Sequence, residues 1–140
     1  MKQLTAWVEN TPGELGRIAQ ALGEAKVDIT AFAAYGVGAS CPIRLQVSNQ
    51  AKAKEILQRL GIRVTEEEVL RVTLAGKPDL LGNLGARLGE AHINVEYGYA
   101  TLAKGGKKMD VVLSVSDPAG ATKILERVAG DRYASPLAKG

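Results

Sequence analysis

Cysteine is nearly absent from this 140-residue chain: Cys41 stands alone, so neither an internal disulfide nor a cysteine-built metal cluster is available. Histidine occurs once, as His92, with no partner in sequence to complete a Ser-His-Asp, Cys-His or metal-spaced set. Catalysis therefore has no evident machinery, and no cofactor is implied. Rings are scarce as well: one Trp, one Phe and four Tyr stand against 35 Leu, Ile and Val, so any core is aliphatic. No run approaches the ~20 apolar residues that span a bilayer. Neither sign of charge dominates, since 18 basic residues lie scattered among 15 acidic ones for a net +3. A nucleic-acid partner, which calls for a basic stripe, is excluded on that ground. Gly36-Val37-Gly38 and Gly105-Gly106 do not continue into the Gly-Lys-Ser/Thr of a phosphate loop and read as hairpin turns. The opening Met1-Lys2-Gln3-Leu4 runs directly into alternating residues, which predicts no signal peptide, and the single cysteine predicts a reducing, cytoplasmic setting.

What is present is repetition. Leu22-Gly23-Glu24-Ala25 recurs as Leu88-Gly89-Glu90-Ala91, an offset of 66. At that offset Leu4, Ala6 and Val8 meet Leu70, Val72 and Leu74, Pro12 meets Pro78, and Val27-Asp28-Ile29 meets Ile93-Asn94-Val95. Later the offset is 68, pairing Val47-Ser48 with Val115-Ser116 and Ile56-Leu57 with Ile124-Leu125. The second copy thus carries two extra residues, placed near Ala103–Lys108. The chain reads as a tandem duplication, with domain one at 1–66, domain two at 67–131 and an irregular tail at 132–140.

Periodicity assigns each copy. Leu4, Ala6 and Val8 alternate as a strand, Asn10-Thr11-Pro12-Gly13 breaks it, and Leu15, Ile18, Ala19 and Leu22 follow at helical spacing. Val27, Ile29, Ala31 and Ala33 alternate as a second strand, and Ile43, Leu45 and Val47 as a third. A helix near Ala51–Leu60, capped by Gly61, leads to a short strand Ile62–Val64. Glu66-Glu67-Glu68 reads as a solvated linker. The second copy repeats this with helices near Asp79–Ala91 and Ala119–Val128 and a weak last strand at Ala129–Tyr133. The order strand, helix, strand, strand, helix, strand predicts an α+β fold of two ferredoxin-like sandwiches. Trp7 falls on the sheet face that the helices leave uncovered, which points to packing against another domain or chain and to a homodimer.

Glu9-Asn10-Thr11-Pro12-Gly13-Glu14-Leu15, with Leu22-Gly23-Glu24-Ala25-Lys26-Val27-Asp28-Ile29 after it, resembles the signature of ACT domains. These are small ferredoxin-like modules that bind amino acids and regulate enzymes of amino-acid metabolism. The second copy keeps Pro78, Asp79 and Leu81 but carries Gly76-Lys77 where the first has Asn10-Thr11. Glu96-Tyr97-Gly98-Tyr99 is similar to stand-alone bacterial proteins built of two such domains. The resemblance spans residues 2–130 and implies a non-catalytic regulatory protein with a free amino acid as ligand. A regulatory subunit attached to an enzyme of amino-acid biosynthesis is the alternative.

The loop suits that chemistry. A bound amino acid buries an ammonium and a carboxylate, and each then needs charge-assisted hydrogen bonds. A helix N-terminus supplies free N–H groups for the carboxylate, Gly13 permits close approach, and the Asn10 amide both donates and accepts. The resemblance implies that an asparagine at the Asn10 position acts with one at the start of strand two of a neighbouring domain. The implied site is therefore Asn10, Thr11, Pro12, Gly13 and Leu15 with Asn94, Val95 and Tyr97. Gly76, Lys77, Asp79 and Leu81 with Asp28 and Ile29 form an altered counterpart. Tyr97 and Tyr99 share the alternation of Ile93 and Val95, which places them toward core or interface. Lys104, Lys107 and Lys108 read as a solvated hairpin tip.

Overall fold

The computed structural model describes residues 2–75, 79–102 and 108–129. The first half runs β1 Lys2–Glu9, α1 Glu14–Glu24, β2 Ile29–Ala34, β3 Ser40–Val47, α2 Gln50–Arg59 and β4 Arg63–Glu68. The second runs β5 Leu70–Ala75, α3 Leu80–Glu90, β6 Val95–Leu102, β7 Lys108–Val115 and α4 Pro118–Ala129. One sheet has the order β2-β3-β1-β4 and the other β5-β7-β6. Pairings β1–β3, β2–β3, β5–β7 and β6–β7 are antiparallel. The chain divides into two units after Glu67. Of the weak strand expected at Ala129–Tyr133, Ala129 instead ends α4; residues 130–133 and the rest of the tail to 140 lie outside the described residues.

Each unit has its own aliphatic core, and the two correspond position by position. Leu4, Ala6, Ile18, Leu22, Ala53 and Leu57 fill the first; Leu70, Val72, Leu84, Leu88, Ala121 and Leu125 fill the second. Burying each leucine, isoleucine or valine among them stabilises a unit by about 1.5–3 kcal/mol against the entropy of ordering it. The helix starts repeat too. The Asn49 carboxamide accepts from the Lys52 amide at 3.1 Å ahead of α2, and the Asp117 carboxylate accepts from the Gly120 amide at 3.0 Å ahead of α4.

Three helices end in the same motif. After α2, Gly61 takes φ 77°, its N–H reaches the Gln58 carbonyl, and the Ile62 N–H reaches Leu57. After α1 the same bonds run from Lys26 to Gly23 and from Val27 to Leu22, and after α3 from His92 to Gly89 and from Ile93 to Leu88. This is the Schellman arrangement, with a buried apolar residue closing onto the last turn. Val27 therefore caps α1 rather than beginning β2. Lys26 at φ 61° and His92 at φ 57° occupy the left-handed position where Gly61 sits after α2.

Two expectations from alternation are corrected. Register shifts lie between Ile29 and Ala31 in β2 and between Val95 and Tyr97 in β6. Ile29 pairs with Val47 on the helix-facing side, but Ala31 pairs with Gln46 and Ala33 with Arg44 on the other. Likewise Val95 pairs with Val115, whereas Tyr97 pairs with Ser114 and Tyr99 with Val112. One extra residue in a strand reverses every later side chain. Tyr97 and Tyr99 accordingly do not share a face with Val95. Nor is Glu66-Glu67-Glu68 a linker, for all three extend β4. Lys54 neutralises Glu66 at 2.9 Å, and its ammonium holds that carboxyl below the ordinary range, by hydrogen bond first and charge second.

Candidate functional site

The loop between β1 and α1 is built by backbone bonds at both ends. The Asn10 N–H donates to the Ala39 carbonyl and the Thr11 N–H to Glu9, each at 2.9 Å. Gly13, at φ 91°, turns the chain into α1, and no side chain caps that helix. A residue with a Cβ is strained at that φ, so the sharp entry requires glycine. The first-turn N–H groups are thereby left for solvent or an anion. Glu14 in that turn pairs with Arg17 at 2.8 Å, which draws its charge away from the helix end. Leu15 is exposed beside it, and Thr11 and Pro12 are exposed on the turn.

Asn10 is held by the hairpin joining β2 to β3. Its Nδ2 donates to the Gly38 carbonyl at 3.1 Å. Gly36 lies flat against the same amide: a Cβ there would come 2.4 Å from Nδ2. Only glycine permits this approach. One N–H of the amide is thus engaged within the unit, and among the described residues its Oδ1 accepts no hydrogen bond.

The starts of β2 and β6 are built alike. The Asp28 N–H donates to the Ser48 hydroxyl and the Ser48 N–H returns to the Asp28 carbonyl, both at 2.9 Å. Asn94 and Ser116 exchange the same two bonds at the same distances. These bonds hold the backbone and leave the side chains exposed. The Asn94 Nδ2 donates to the Glu96 carboxylate at 3.3 Å.

Within a unit, the loop and the start of the second strand lie at opposite ends of α1. That helix has 11 residues, or about 16 Å at 1.5 Å per residue. The fold therefore brings Asn10, Thr11, Pro12, Gly13 and Leu15 together but keeps Asp28 and Ile29 apart from them. In the second unit Asp79 opens α3 without a side-chain cap bond, Leu81 is exposed, and Asn94 and Val95 lie at the far end of that helix. Gly76 and Lys77 lie outside the described residues. Tyr97 is half-buried on the sheet face away from the helices.

Alternation did not single out a polar cluster on that face of the first unit. Arg44 is buried, and its Nη1 donates to Glu67 at 2.8 Å and to the Thr5 hydroxyl at 3.0 Å. Its Nη2 donates to the Tyr35 hydroxyl at 2.9 Å. The guanidinium carbon lies 5.7 Å from the Trp7 ring centre and 5.8 Å from that of Tyr35. Trp7 is half-buried, donates its indole N–H to Thr65 at 2.8 Å, and carries Arg63 over its ring at 4.8 Å. In sequence the only trace is an arginine inside the alternating run Ile43–Val47, with no sign of the carboxylate 23 positions on. Arg71 and the Thr73 hydroxyl make a smaller counterpart on Asp110 in the second unit, at 3.2 and 2.6 Å.

Among the described residues no cluster of three His, Cys, Asp or Glu is placed to hold a metal ion, and no helix is long and apolar enough to cross a membrane. A groove of about 630 Å³ between α3 and α4, lined by Asn83, Arg87, Ile124 and Arg127, contains none of the expected site residues.

Strand order, duplicated core and uncapped starts of α1 and α3 together define an α+β protein made of two ferredoxin-like modules. The chain belongs to the ACT domain pair family, whose model matches residues 1–128. A Bacteroides thetaiotaomicron protein of known crystal structure has the same fold, with TM-score 0.84 at 20% identity over 96% of this chain and 90% of that one. The ligand-free regulatory subunit of aspartate kinase from Thermus thermophilus gives TM-score 0.66 at 14% identity, covering 91% of each chain. Clostridium acetobutylicum aspartate kinase gives 0.60 at 13% identity over 91% of this chain and 32% of that one. No curated protein matches. At these identities the likeness is one of fold.

Proposed function

We propose that the chain is a non-catalytic, cytoplasmic amino-acid sensor whose ligand binds where the Asn10 loop of one domain meets the Asn94 end of another. The observation that carries this reading is the Asn10 loop itself: an uncapped helix start next to an amide that the hairpin holds by one N–H, leaving its oxygen open. The helix N–H groups suit the ligand carboxylate. The unengaged Oδ1 of Asn10 suits its ammonium, and the Asn94 amide, exposed at the strand start, would supply the second acceptor. The counterpart site joins Gly76 to Asp28. It lacks one amide and presents a carboxylate, so it binds more weakly.

Assembly follows from the sheet edges. β2 and β6 each end a sheet, and each carries an exposed apolar side chain, Phe32 in one unit and Val95 in the other. An open edge flanked by apolar side chains favours pairing with another strand, and we read the chain as a homodimer. The fold it shares with aspartate kinase regulatory subunits supports an enzyme of amino-acid metabolism as the partner on which ligand binding is read out.

A thermal-shift screen of the twenty amino acids tests the ligand. At 100 times its dissociation constant the right one adds about 2.7 kcal/mol. Calorimetry then separates the sites. Asn10→Ala and Asn94→Ala should each weaken binding ten- to a hundredfold, with the double variant losing less than the sum, while Gly76→Ala and Asp28→Ala leave the tighter site intact. No response to any amino acid, or no loss on Asn10→Ala, refutes the reading.

A further inference from the structure

The buried Arg44 cluster and the Asn10 loop share one element, the hairpin between β2 and β3. Tyr35 opens that hairpin, Gly36 lies against the Asn10 amide, and Gly38 accepts its hydrogen bond. On its other side Arg44 grips Glu67, on β4, which β1 separates from β3. Glu67 is also the last residue before the chain passes into the second unit.

We propose that Arg44 is the positioning residue of the Asn10 loop: through the Tyr35 hydroxyl it fixes the hairpin that seats Asn10, and through Glu67 it ties that hairpin to the strand leading out of the unit. The significance of Asn10 rests on the ligand reading above; the mechanical link does not. A guanidinium suits the task because its planar fork directs donors to two acceptors at once, which a lysine ammonium does not do in the same rigid geometry. The Arg44 side chain is 8% exposed and that of Glu67 25%, so water competes little for those bonds at the guanidinium end. A change in the loop would thus be transmitted along hydrogen bonds of 2.8 to 3.1 Å to the exit strand.

Amide hydrogen exchange on the intact chain, without any amino acid added, is the test. The reporters are the Asn10 N–H on Ala39 and the Val37 and Ser40 N–H groups that bond each other's residues across the turn. Tyr35→Phe keeps the ring and removes only the hydroxyl, and should speed exchange at these three amides about tenfold while the β1 core amides of Leu4 and Ala6 stay as they are. Glu67→Gln should speed the same three amides, although its side chain lies across β1 from the hairpin strand. Arg44→Lys should preserve the urea midpoint better than Arg44→Met while reproducing the Tyr35→Phe exchange pattern. Unchanged hairpin amides in Tyr35→Phe or in Glu67→Gln would overturn the proposal. So would acceleration spread evenly over β1, which would mark a merely structural role. A ligand screen that finds nothing would remove the reading of Asn10 and leave this result to stand or fall alone.

Discussion

Lys26 and His92 pose a quantitative test of how the helices end. Both hold left-handed φ values near 60° immediately after α1 and α3, where a side chain costs about 1–2 kcal/mol relative to glycine. Replacing either by glycine removes that strain and adds back about 0.5–1 kcal/mol of unfolded-chain entropy. The net gain is about 0.5–1 kcal/mol per site. Neither side chain makes a hydrogen bond among the described residues, so little else is lost beyond the attraction of the Lys26 ammonium for the helix C-terminus, which salt screens. For a unit of 60–100 residues such a gain corresponds to a rise of about 2–8 °C in midpoint. Urea and thermal unfolding by circular dichroism at pH 8 and moderate salt should find Lys26→Gly and His92→Gly stabilised. Lys26→Ala and His92→Ala, which keep the strain, should not be. Gly61→Ala supplies the mirror experiment and should lose about 1 kcal/mol or more. Glycine variants no more stable than their alanine counterparts would refute the strain account.

Gly36→Ala should act at a distance from its own position: the new Cβ would displace the Asn10 amide, so the variant should lose amino-acid binding as Asn10→Ala does, and wild-type affinity would exclude the seating of Asn10 described above. Asp110 governs acid stability in the second unit. The Thr73 hydroxyl first and Arg71 second hold its carboxyl below the ordinary aspartate range. Since the folded state favours the ionised form, its contribution is complete above the ordinary value of about 4 and is lost as pH falls through and below it. Urea midpoints between pH 6 and 2 should fall more steeply for wild type than for Asp110→Asn, and parallel slopes would contradict this.

The fold was legible because duplication supplied two readings of each element. Leu22 and Leu88, or Leu57 and Leu125, are hidden in both cores for the same periodic reason. Where alternation failed, a backbone event had no side-chain signature. Nothing in Ile29-Thr30-Ala31 or Val95-Glu96-Tyr97 announces an extra residue, since alanine and tyrosine are tolerated on either face. The acidic run at 66–68 looked solvated because its partners, Lys54 and Arg44, are distant in sequence. The loop could be read from its own residues, down to Gly13 and Asn10. Its support could not, because Gly36 and Gly38 act on Asn10 only once the hairpin has folded back to it.

The paired bulges have a consequence for how the two halves were free to diverge. Beyond the extra residue, positions 31 and 33 and their counterparts 97 and 99 leave the register of the helix-packed core. One copy shows two alanines there and the other two tyrosines, yet both cores stay aliphatic and closely matched. A duplicated gene ordinarily alters a surface at the risk of disturbing what lies beneath it. Here a single extra residue per strand separates the two, so residues past it can differ between the halves while the helix-facing positions keep matching aliphatic cores.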